Sequence, residues 1–379
     1  MDLKKIIPAN IQSLKPYVAG KTITEVQKEF KPSRMSKLAS NENRLGCSSL
    51  VSKAVLDSLS HVHDYPDPVA KKLRKKVADM NGVEENEILL AAGSESVISI
   101  LCRTFFNDGE HALTANATFV GFLVQAGVRG ISVHKIPITN DYRFDIDAIL
   151  KAVRPETKMV YIANPNNPTG TYINKNEYQR LVDSLPEDVL LIADEAYFEF
   201  AESVKDYPHA LDYRKDNVII LRTFSKAYGL AGFRIGYAIA DNRLIKEMMK
   251  AKLTFEPTTP AQAAAFAALD DQEFINRSVQ MVENGRVRLY DFFQKHDVEY
   301  VPSISNSVLM VLDNEEEAVD FTQAMLKQGV ILRRVNAFGL PNCVRITIGT
   351  PQDMEHFEES FLNIAELKKQ LKISSEYYE

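Results

Sequence analysis

The chain has 379 residues, of which 45% are hydrophobic, and a formal net charge of -6. This length and apolar content allow a substantial buried core and favour two domains. The acidic balance provides no basic face for a nucleic acid, and no apolar run approaches the length of a signal peptide or a membrane span. We therefore expect a soluble, cytoplasmic protein with no nucleic-acid or membrane partner.

The cysteines and histidines do not form a recognisable framework. Cys47, Cys102 and Cys343 are odd in number and far apart, which argues against disulfides and against a metal site. His61 and His63 are close together but have no third candidate ligand nearby. A solvated loop explains them better, so no metal is expected.

The first 40 residues are polar and helix-like only in parts. Residues that break helices interrupt them repeatedly: Pro8, Pro16, Gly20 and Pro32. A segment of this kind predicts an arm without a core of its own, and we expect residues 1–40 to pack on the smaller domain. Helical periodicity follows over residues 48–60 and, in a basic amphipathic form, over residues 69–80.

From residue 87, short apolar runs alternate with helical patterns, which is typical of a largely parallel sheet with crossover helices. The predicted strands are residues 88–90, 112–115, 131–136, 159–163, 189–193 and 217–221, with a further apolar run at 233–240. The predicted helices are residues 94–106, 119–128, 144–153 and 175–184. The pattern predicts an α/β domain over residues 41–255.

The pattern changes near residue 255. Phe255-Glu-Pro-Thr-Thr-Pro260 is a break before an alanine-rich helix at 261–269 and a long charged helix at 273–295 that could connect two lobes. The predicted elements that follow are strand 308–312, helix 315–328, strands 330–334 and 344–348, and helix 353–371. They predict a small α+β domain over residues 256–379.

Two candidate ligand-binding groups follow strands of the large domain, and ligands of open α/β sheets bind outside the carboxyl ends of strands. Gly93-Ser-Glu-Ser96 begins a helix, whose free N–H groups and positive dipole end can hold an anion. Asn164-Pro-Asn-Asn-Pro-Thr-Gly170 is a loop dense in turn-forming residues. Taken singly, an ordinary helix cap and a stiff loop explain both groups.

Two further groups carry charge. Asp194 directly follows an apolar strand, where a carboxylate is partly buried and needs a cationic partner, and Tyr197 can turn its hydroxyl to the same place. Ser225, Lys226 and Arg234 offer a hydroxyl, an amine and a guanidinium in one turn region. The four groups together specify an anionic head at the helix start, a basic ring nitrogen at Asp194 and an electrophilic carbon at Lys226. Pyridoxal 5′-phosphate (PLP), bound to the lysine as a Schiff base, has these features.

The motifs also carry a resemblance to a known family. Three of them, in this order and spacing, resemble the fold-type I aminotransferases of the aspartate aminotransferase superfamily: Asn167-Pro-Thr-Gly170, Asp194-x-x-Tyr197, and Ser225-Lys226 followed by Arg234. Five more resemble the histidinol-phosphate aminotransferase family: Lys15-Pro-Tyr-Val-Ala-Gly-Lys21, Leu38-Ala-Ser-Asn-Glu-Asn43, Tyr65-Pro-Asp-Pro68, Arg222-Thr-Phe-Ser-Lys226 and Val344-Arg-Ile-Thr-Ile-Gly-Thr350. The resemblance implies a seven-stranded, mostly parallel sheet in the large domain and a homodimer with shared active sites.

The resemblance assigns a role to each cofactor residue. Lys226 would hold PLP and move the proton between substrate and cofactor, Asp194 would keep the pyridine nitrogen protonated, and Tyr197 would hydrogen-bond the phenolic oxygen. Asn167 would share that oxygen, and Phe119 would stack on the ring. Residues expected at the phosphate are Ser94, Glu95, Thr223, Ser225, Arg234 and, from the neighbouring subunit, Tyr65.

The resemblance also predicts the substrate-binding residues Tyr17, Asn43, Arg333 and Arg345. The planar fork of arginine suits a phosphate or a carboxylate, so Arg345 alone does not separate the possible amino donors. The expected reaction is histidinol-phosphate:2-oxoglutarate transamination by a ping-pong mechanism through pyridoxamine phosphate. The alternatives are an aromatic amino-acid (Phe or Tyr) aminotransferase and a PLP-dependent decarboxylase of the same fold.

Four positions depart from the usual pattern of the family: Arg44, Glu95, Asn116-Ala117 and Phe255–Thr259. Two other classes of protein are disfavoured. The arm before Asn41 has no room for the helix-turn-helix module of a PLP-fold transcription regulator. No Gly-x-Gly-x-x-Gly turn follows an early strand, which disfavours a nicotinamide-dependent dehydrogenase.

Overall fold

Alternating strands and helices form most of the chain, which confirms the predicted α/β class. The computed structural model describes residues 1–15 and 21–376. The helices of this part are α1 (Ala9–Gln12), α2 (Ile23–Phe30), α3 (Ser49–Ser58), α4 (Lys71–Asn81), α5 (Ser94–Thr104), α6 (Val120–Arg129), α7 (Ile146–Lys151), α8 (Lys175–Ser184), α9 (Phe198–Ala201), α10 (Asn242–Ala251), α11 (Thr259–Ala268), α12 (Gln272–Lys295), α13 (Glu315–Lys327) and α14 (Pro351–Glu376). The strands are β1 (Ser36–Lys37), β2 (Ile88–Ala91), β3 (His111–Ala115), β4 (Ser132–Ile136), β5 (Thr157–Ala163), β6 (Leu190–Asp194), β7 (Val218–Thr223), β8 (Gly236–Ile239), β9 (Tyr300–Val301), β10 (Ser307–Val311), β11 (Val330–Ile331), β12 (Arg333–Arg334) and β13 (Cys343–Thr347).

A seven-stranded sheet with the order β2-β8-β7-β6-β5-β3-β4 is the centre of the larger part. Strand β8 is antiparallel to both of its neighbours, and the other strands run in one direction. Along β7, Ile219 and Leu221 belong to one cluster of buried apolar side chains, and Ile220 belongs to another. The sheet is therefore covered on both faces, which explains why its central strands are continuous apolar runs.

A four-stranded antiparallel sheet, β12-β13-β10-β9, forms the centre of the C-terminal part. The apolar run at residues 330–334 was predicted as one strand, and that prediction is wrong. Val330 and Ile331 pair in parallel with β1, whereas Arg333 and Arg334 pair with β13. Residues 330–331 and residues 333–334 are both extended, so the sequence shows the same periodicity in both pairs. Only the strands with which they pair distinguish them.

The N-terminal arm contacts both parts of the molecule. Asn10 Nδ2 donates to the carbonyl oxygens of Gly127 (3.3 Å) and Val128 (2.9 Å) near the end of α6. Farther along the arm, α2 packs on α13 and β1 pairs with β11. Helix α11, just after the predicted boundary at residue 255, packs against α3 and α4 of the larger part. The boundaries at residues 40 and 255 stay a prediction.

None of the helices in the described ranges is both long enough and apolar enough to cross a membrane.

A buried ion pair joins strand β7 of the large sheet to the segment that follows β6. Arg222 on β7 donates to Glu195 Oε2 from Nε (3.0 Å) and Nη2 (2.8 Å), and its Nη1 donates to Asn81 Oδ1 (2.9 Å). The guanidinium also lies 3.4 Å from the centroid of the Phe198 ring. Both charged side chains are at least 95% buried. Such a pair costs free energy to desolvate, so each partner depends on the other.

Replacing Glu195 should destabilise the fold. In Glu195→Ala, Arg222 becomes a buried charge without its carboxylate, and the free energy of unfolding should fall by about 3–5 kcal/mol. Urea unfolding followed by circular dichroism measures this. Asp79→Ala is the control, because it removes only an exposed ion pair with Lys75, for which about 0.2–1 kcal/mol is expected. Losses of equal size in both variants would contradict the assignment.

Candidate active site

A cavity of about 220 Å³ lies at the edge of the large sheet where the parallel strands end. Every predicted cofactor residue except Tyr65 lines it: Ser94, Glu95, Phe119, Asn167, Asp194, Tyr197, Thr223, Ser225, Lys226 and Arg234. The register of the sheet explains their convergence. Asp194 is paired with Ala163 on one side and Leu221 on the other, so the segments that follow these three strands leave the sheet together.

The carboxyl group of Asp194 is held at the floor of this cavity. It is 3% exposed, Tyr161 Oη donates to its Oδ2 (2.5 Å), and the backbone N–H of Ala196 donates to its Oδ1 (3.1 Å). Burial raises the pKa of Asp194 to about 6, while the hydrogen bond from Tyr161 acts in the opposite direction. A positively charged group in the cavity would favour the ionised carboxylate.

Tyr161 is a site residue that the sequence analysis missed. It lies in the apolar strand β5, is fully buried, and stacks on Phe122 with ring centroids 4.2 Å apart and nearly parallel planes. The packed ring fixes the hydroxyl beside Asp194. The sequence does show a tyrosine inside a buried strand, and such a hydroxyl needs a hydrogen-bond partner. It does not show which partner, because Asp194 lies at the end of a different strand.

Lys226 places an amine in the cavity that Asp194 also lines. Its Nζ is 3.4 Å from the carbonyl oxygen of Ser40 and 5.5 Å from the centroid of the Tyr197 ring. The turn that carries the lysine follows β7, and Gly229 allows its close packing because a Cβ there would lie 1.8 Å from the carbonyl oxygen of Gly46. The backbone of Gly229 is also left-handed, with φ +71°.

The other end of the cavity is built to hold an anion. Helix α5 begins after Gly93, whose φ is +88°, and its first N–H groups have no intrahelical acceptor. Ser225 Oγ receives hydrogen bonds from Thr223 Oγ1 (3.0 Å) and Arg234 Nη1 (3.4 Å). A Cβ on Gly93 would lie 2.8 Å from Arg234 Nη2, so the guanidinium packs directly on the glycine. Amides, hydroxyls and a guanidinium together suit a phosphate.

The donor set fits PLP. The anion-binding end matches a phosphate, the buried carboxyl of Asp194 matches a protonated ring nitrogen, and the amine of Lys226 matches a carbonyl carbon. Phe119 adds an aromatic face on the wall of the cavity. Glu95 also lines this end, and its Oε1 accepts a hydrogen bond from Gln125 Nε2 (3.4 Å).

The two predicted substrate arginines lie on neighbouring strands of the C-terminal sheet. Arg345 is buried and donates to Asn167 Oδ1 and to the carbonyl oxygen of Ala39 (2.7 Å). Arg333 is paired with Arg345 across the ladder between β12 and β13. Directly paired residues of an antiparallel ladder project from the same face, so the two guanidinium groups share one side of the sheet.

The remaining predicted residues lie elsewhere. Asn43 Nδ2 donates to the carbonyl oxygen of Ala227 (2.9 Å) and to Ser278 Oγ (2.8 Å), which ties its loop to the turn that carries the lysine. Tyr65 is 79% exposed and stacks on Phe255 with ring centroids 4.1 Å apart, outside the cavity of its own chain. Tyr17 lies outside the described residues. The roles of these three residues stay predictions.

The fold and the site together define a class of protein. A lysine, a buried carboxyl and an anion-binding helix start line one cavity at the carboxyl edge of a mostly parallel sheet, an arrangement that fits a PLP-dependent enzyme. The chain belongs to the family of class I and II aminotransferases, whose family model matches residues 33–361.

Individual members of this family are similar to the chain over most of its length. The chain is 42% identical over 351 residues to the histidinol-phosphate aminotransferase of Geobacillus sp. (strain WCH70), which covers 92% of this chain and 95% of that protein. It is 40% identical to the protein of the same name from Bacillus subtilis (strain 168), with 92% and 97% covered. The histidinol-phosphate aminotransferase of Sinorhizobium meliloti, solved in complex with pyridoxal-5′-phosphate, has a TM-score of 0.85 and 27% identity, with 93% and 95% covered. These matches confirm the resemblance inferred from the motifs.

Adding a methyl group to Gly93 should weaken the binding of PLP. In Gly93→Ala, the left-handed backbone is strained by about 1–2 kcal/mol and the new Cβ displaces Arg234, so the Kd for PLP should rise by about tenfold or more. Titration of the cofactor-free protein with PLP, followed by absorbance, measures the Kd. Gly232→Ala is the matched control, because a Cβ at Gly232 meets nothing within 4 Å. An unchanged Kd in Gly93→Ala would refute the anion cradle.

Proposed function

We propose that the protein is a PLP-dependent aminotransferase that transfers the amino group of histidinol phosphate to 2-oxoglutarate. The observation that carries the proposal is the placement of Lys226, Asp194 and the anion-binding start of α5 around one cavity. The names of the relatives at about 40% identity supply the substrate. PLP, when bound, supplies a ring that accepts the electrons released when the Cα–H bond of the amino donor breaks.

Asp194 holds a proton on the ring nitrogen of the cofactor. Its carboxyl is buried, and burial raises its pKa to about 6, although the charge of Lys226 acts in the opposite direction. A protonated nitrogen nearby restores the ionised carboxylate, and the carboxylate in turn keeps the nitrogen protonated. The hydroxyl of Tyr161 donates a hydrogen bond to one carboxylate oxygen, and the N–H of Ala196 donates one to the other. These two bonds fix the orientation of the carboxylate in the cavity. The chain's contribution is a fixed charge at a fixed place.

Lys226 moves the proton at the substrate. Lys226 lies in the turn after β7 and Asp194 at the end of β6, and both residues line the cavity. The amine of Lys226 would hold the cofactor, and when free it would serve as a base for the proton at Cα. Asn167 and Tyr197 bind the phenolic oxygen, and Ser225, Arg234 and the amides that begin α5 bind the phosphate.

Arg345 and Arg333 bind the anionic groups of the substrates. Histidinol phosphate carries a phosphate, and 2-oxoglutarate carries two carboxylates, so the two substrates of a ping-pong reaction present anions of different shape to one site. The guanidinium fork suits both anions. Because Arg345 is held between Asn167 and Ala39, it links the C-terminal sheet to the loop that carries Asn167.

A homodimer in the cytoplasm completes the proposal. Tyr65 and Phe255 form a stacked aromatic pair on the surface, and Val62 and Leu253 are also more than half exposed. Exposed apolar groups of this kind suit an interface between two copies, in which Tyr65 reaches the phosphate in the neighbouring subunit. The three cysteines are free thiols, as expected in a reducing compartment.

Removing the amine of Lys226 should abolish covalent attachment of the cofactor. The parent protein with PLP should show a visible absorption band, and borohydride should fix the cofactor to the peptide that contains residue 226. Lys226→Ala should lose both the band and the labelled peptide, because no other amine lines the cavity among the described residues. Absorption spectra and peptide mass spectrometry provide the measurement. A labelled lysine that persists in this variant would refute the assignment.

Removing Arg333 should separate the two possible amino donors. In Arg333→Ala, kcat/KM for histidinol phosphate should fall by about 100-fold, the loss expected for a charge-assisted hydrogen bond, and kcat/KM for phenylalanine should change much less. Half-reactions followed by the cofactor spectrum measure both. Arg334→Ala is the matched control, since Arg334 is the next residue and pairs with Glu315. Equal losses for both donors in Arg333→Ala would favour the aromatic amino-acid aminotransferase.

A further inference from the structure

Asn41 lies between the C-terminal sheet and Tyr197. It is 1% exposed, and its backbone is left-handed with φ 55°, which asparagine tolerates better than most residues. Its backbone N–H donates to Thr347 Oγ1 (3.0 Å), and its carbonyl oxygen accepts from Asn306 Nδ2 (3.0 Å). Asn41 is buried and held at a strained backbone angle by two hydrogen bonds. We infer that its side chain has to lie at this place.

The hydrogen bonds determine which way the side-chain amide points. Thr347 Oγ1 accepts the N–H of Asn41, and its own hydroxyl proton is donated to Asn41 Oδ1 (3.0 Å). The Oδ1 atom is therefore the acceptor, and Nδ2 faces the other way as a donor. Nδ2 donates to Tyr197 Oη (2.9 Å) and to Ser307 Oγ (3.2 Å).

The orientation of the amide fixes the role of the Tyr197 hydroxyl. Its oxygen accepts from Asn41, so the single hydroxyl proton has to be donated to a different acceptor. Tyr197 lines the cavity, and its proton is left to point there. We propose that Asn41 is a positioning residue that keeps Tyr197 a hydrogen-bond donor toward the phenolic oxygen of the cofactor. This inference rests on the proposed function, because PLP is what supplies that oxygen.

The arrangement also links two parts of the molecule. Ser307 is on β10 and Thr347 is on β13 of the C-terminal sheet, whereas Tyr197 follows β6 of the large sheet. The position of the C-terminal sheet therefore sets the direction of a hydrogen bond at the cofactor. A hydrogen bond donated to the phenolic oxygen weakens its hold on a proton shared with Lys226 Nζ, and so lowers the pH at which that proton is lost.

The test is Asn41→Asp in the PLP-loaded protein. A carboxylate of the same shape has no donor, so it accepts a hydrogen bond from Tyr197 and turns the hydroxyl proton away from the cavity. The pH at which the visible absorption band titrates should rise by about one unit, the size of one hydrogen bond to a charged group, and Tyr197→Phe should give a similar rise. Ser307→Ala, which leaves the contact between Asn41 and Tyr197 in place, should titrate like the parent protein.

A double variant separates the hydrogen bond from the added charge. In the Tyr197→Phe background, Asn41→Asp should cause little further shift, because the hydroxyl that it acts through is gone. An equal shift in both backgrounds would show a through-space effect of the charge and would overturn the proposal. Thr347→Val offers a second route, since losing the donor to Oδ1 frees the amide to rotate, and its titration should move in the same direction as that of Asn41→Asp.

The outcomes also distinguish this proposal from the proposed function. If the parent protein shows no visible band that depends on Lys226, the proposed function fails. If the parent shows that band but neither Asn41→Asp nor Thr347→Val moves its titration, the role of Asn41 alone fails. Urea unfolding midpoints of the variants confirm that each is folded before its spectrum is compared.

Discussion

The burial of an ionisable carboxyl at the end of β6 is the constraint on which the site depends. Asp194 is almost inaccessible to water, and a carboxylate in such a place is stable only with hydrogen-bond donors and a positive partner. Tyr161 and the N–H of Ala196 supply two donors. In the proposed function, the ring nitrogen of the cofactor is the positive partner. The burial of Asp194, which is unfavourable in the protein alone, would then strengthen the attraction between the two charges, because the site has a low dielectric constant.

A second buried charge supports the same region. Arg222 and Glu195 each lie next to a cavity residue in sequence, since Glu195 follows Asp194 and Arg222 precedes Thr223. Their ion pair bridges β7 and the segment after β6. Because neither charge can leave its partner without a large penalty, the two segments that carry Asp194 and Lys226 are held in a constant relation. The ion pair therefore contributes both to the stability of the fold and to the geometry of the cavity.

The C-terminal part contacts residues that line the cavity. Arg345 reaches Asn167, and Asn41 reaches Tyr197, so both polar groups predicted to bind the phenolic oxygen are in contact with residues anchored on the C-terminal sheet. The segment before the large domain is the connecting piece, because Thr347 also donates its backbone N–H to the carbonyl oxygen of Leu38. Contacts through Arg345 and Asn41 thus connect the C-terminal sheet to Asn167 and Tyr197.

The sequence by itself determined the α/β class, the order of most strands and helices, and the predicted cofactor residues other than Tyr65, which all line the cavity. Those residues were accessible because each lies next to a strand end or a helix start, where its own neighbours in the chain define its surroundings. Lys226, Asp194 and Gly93 are of this kind. The resemblance to the aminotransferases added the roles, and the match to the family model confirmed it.

Only the tertiary structure decided the contacts between distant segments. The division of residues 330–334 between two sheets depends on partners at β1 and β13, and the hydrogen bond from Tyr161 to Asp194 joins two strands. Asn41 meets Tyr197 across 156 positions of the chain. Local periodicity reports which face of an element is buried, but it carries no information about what packs on that face. The residues that hold the predicted site residues in place are therefore visible only in the folded protein.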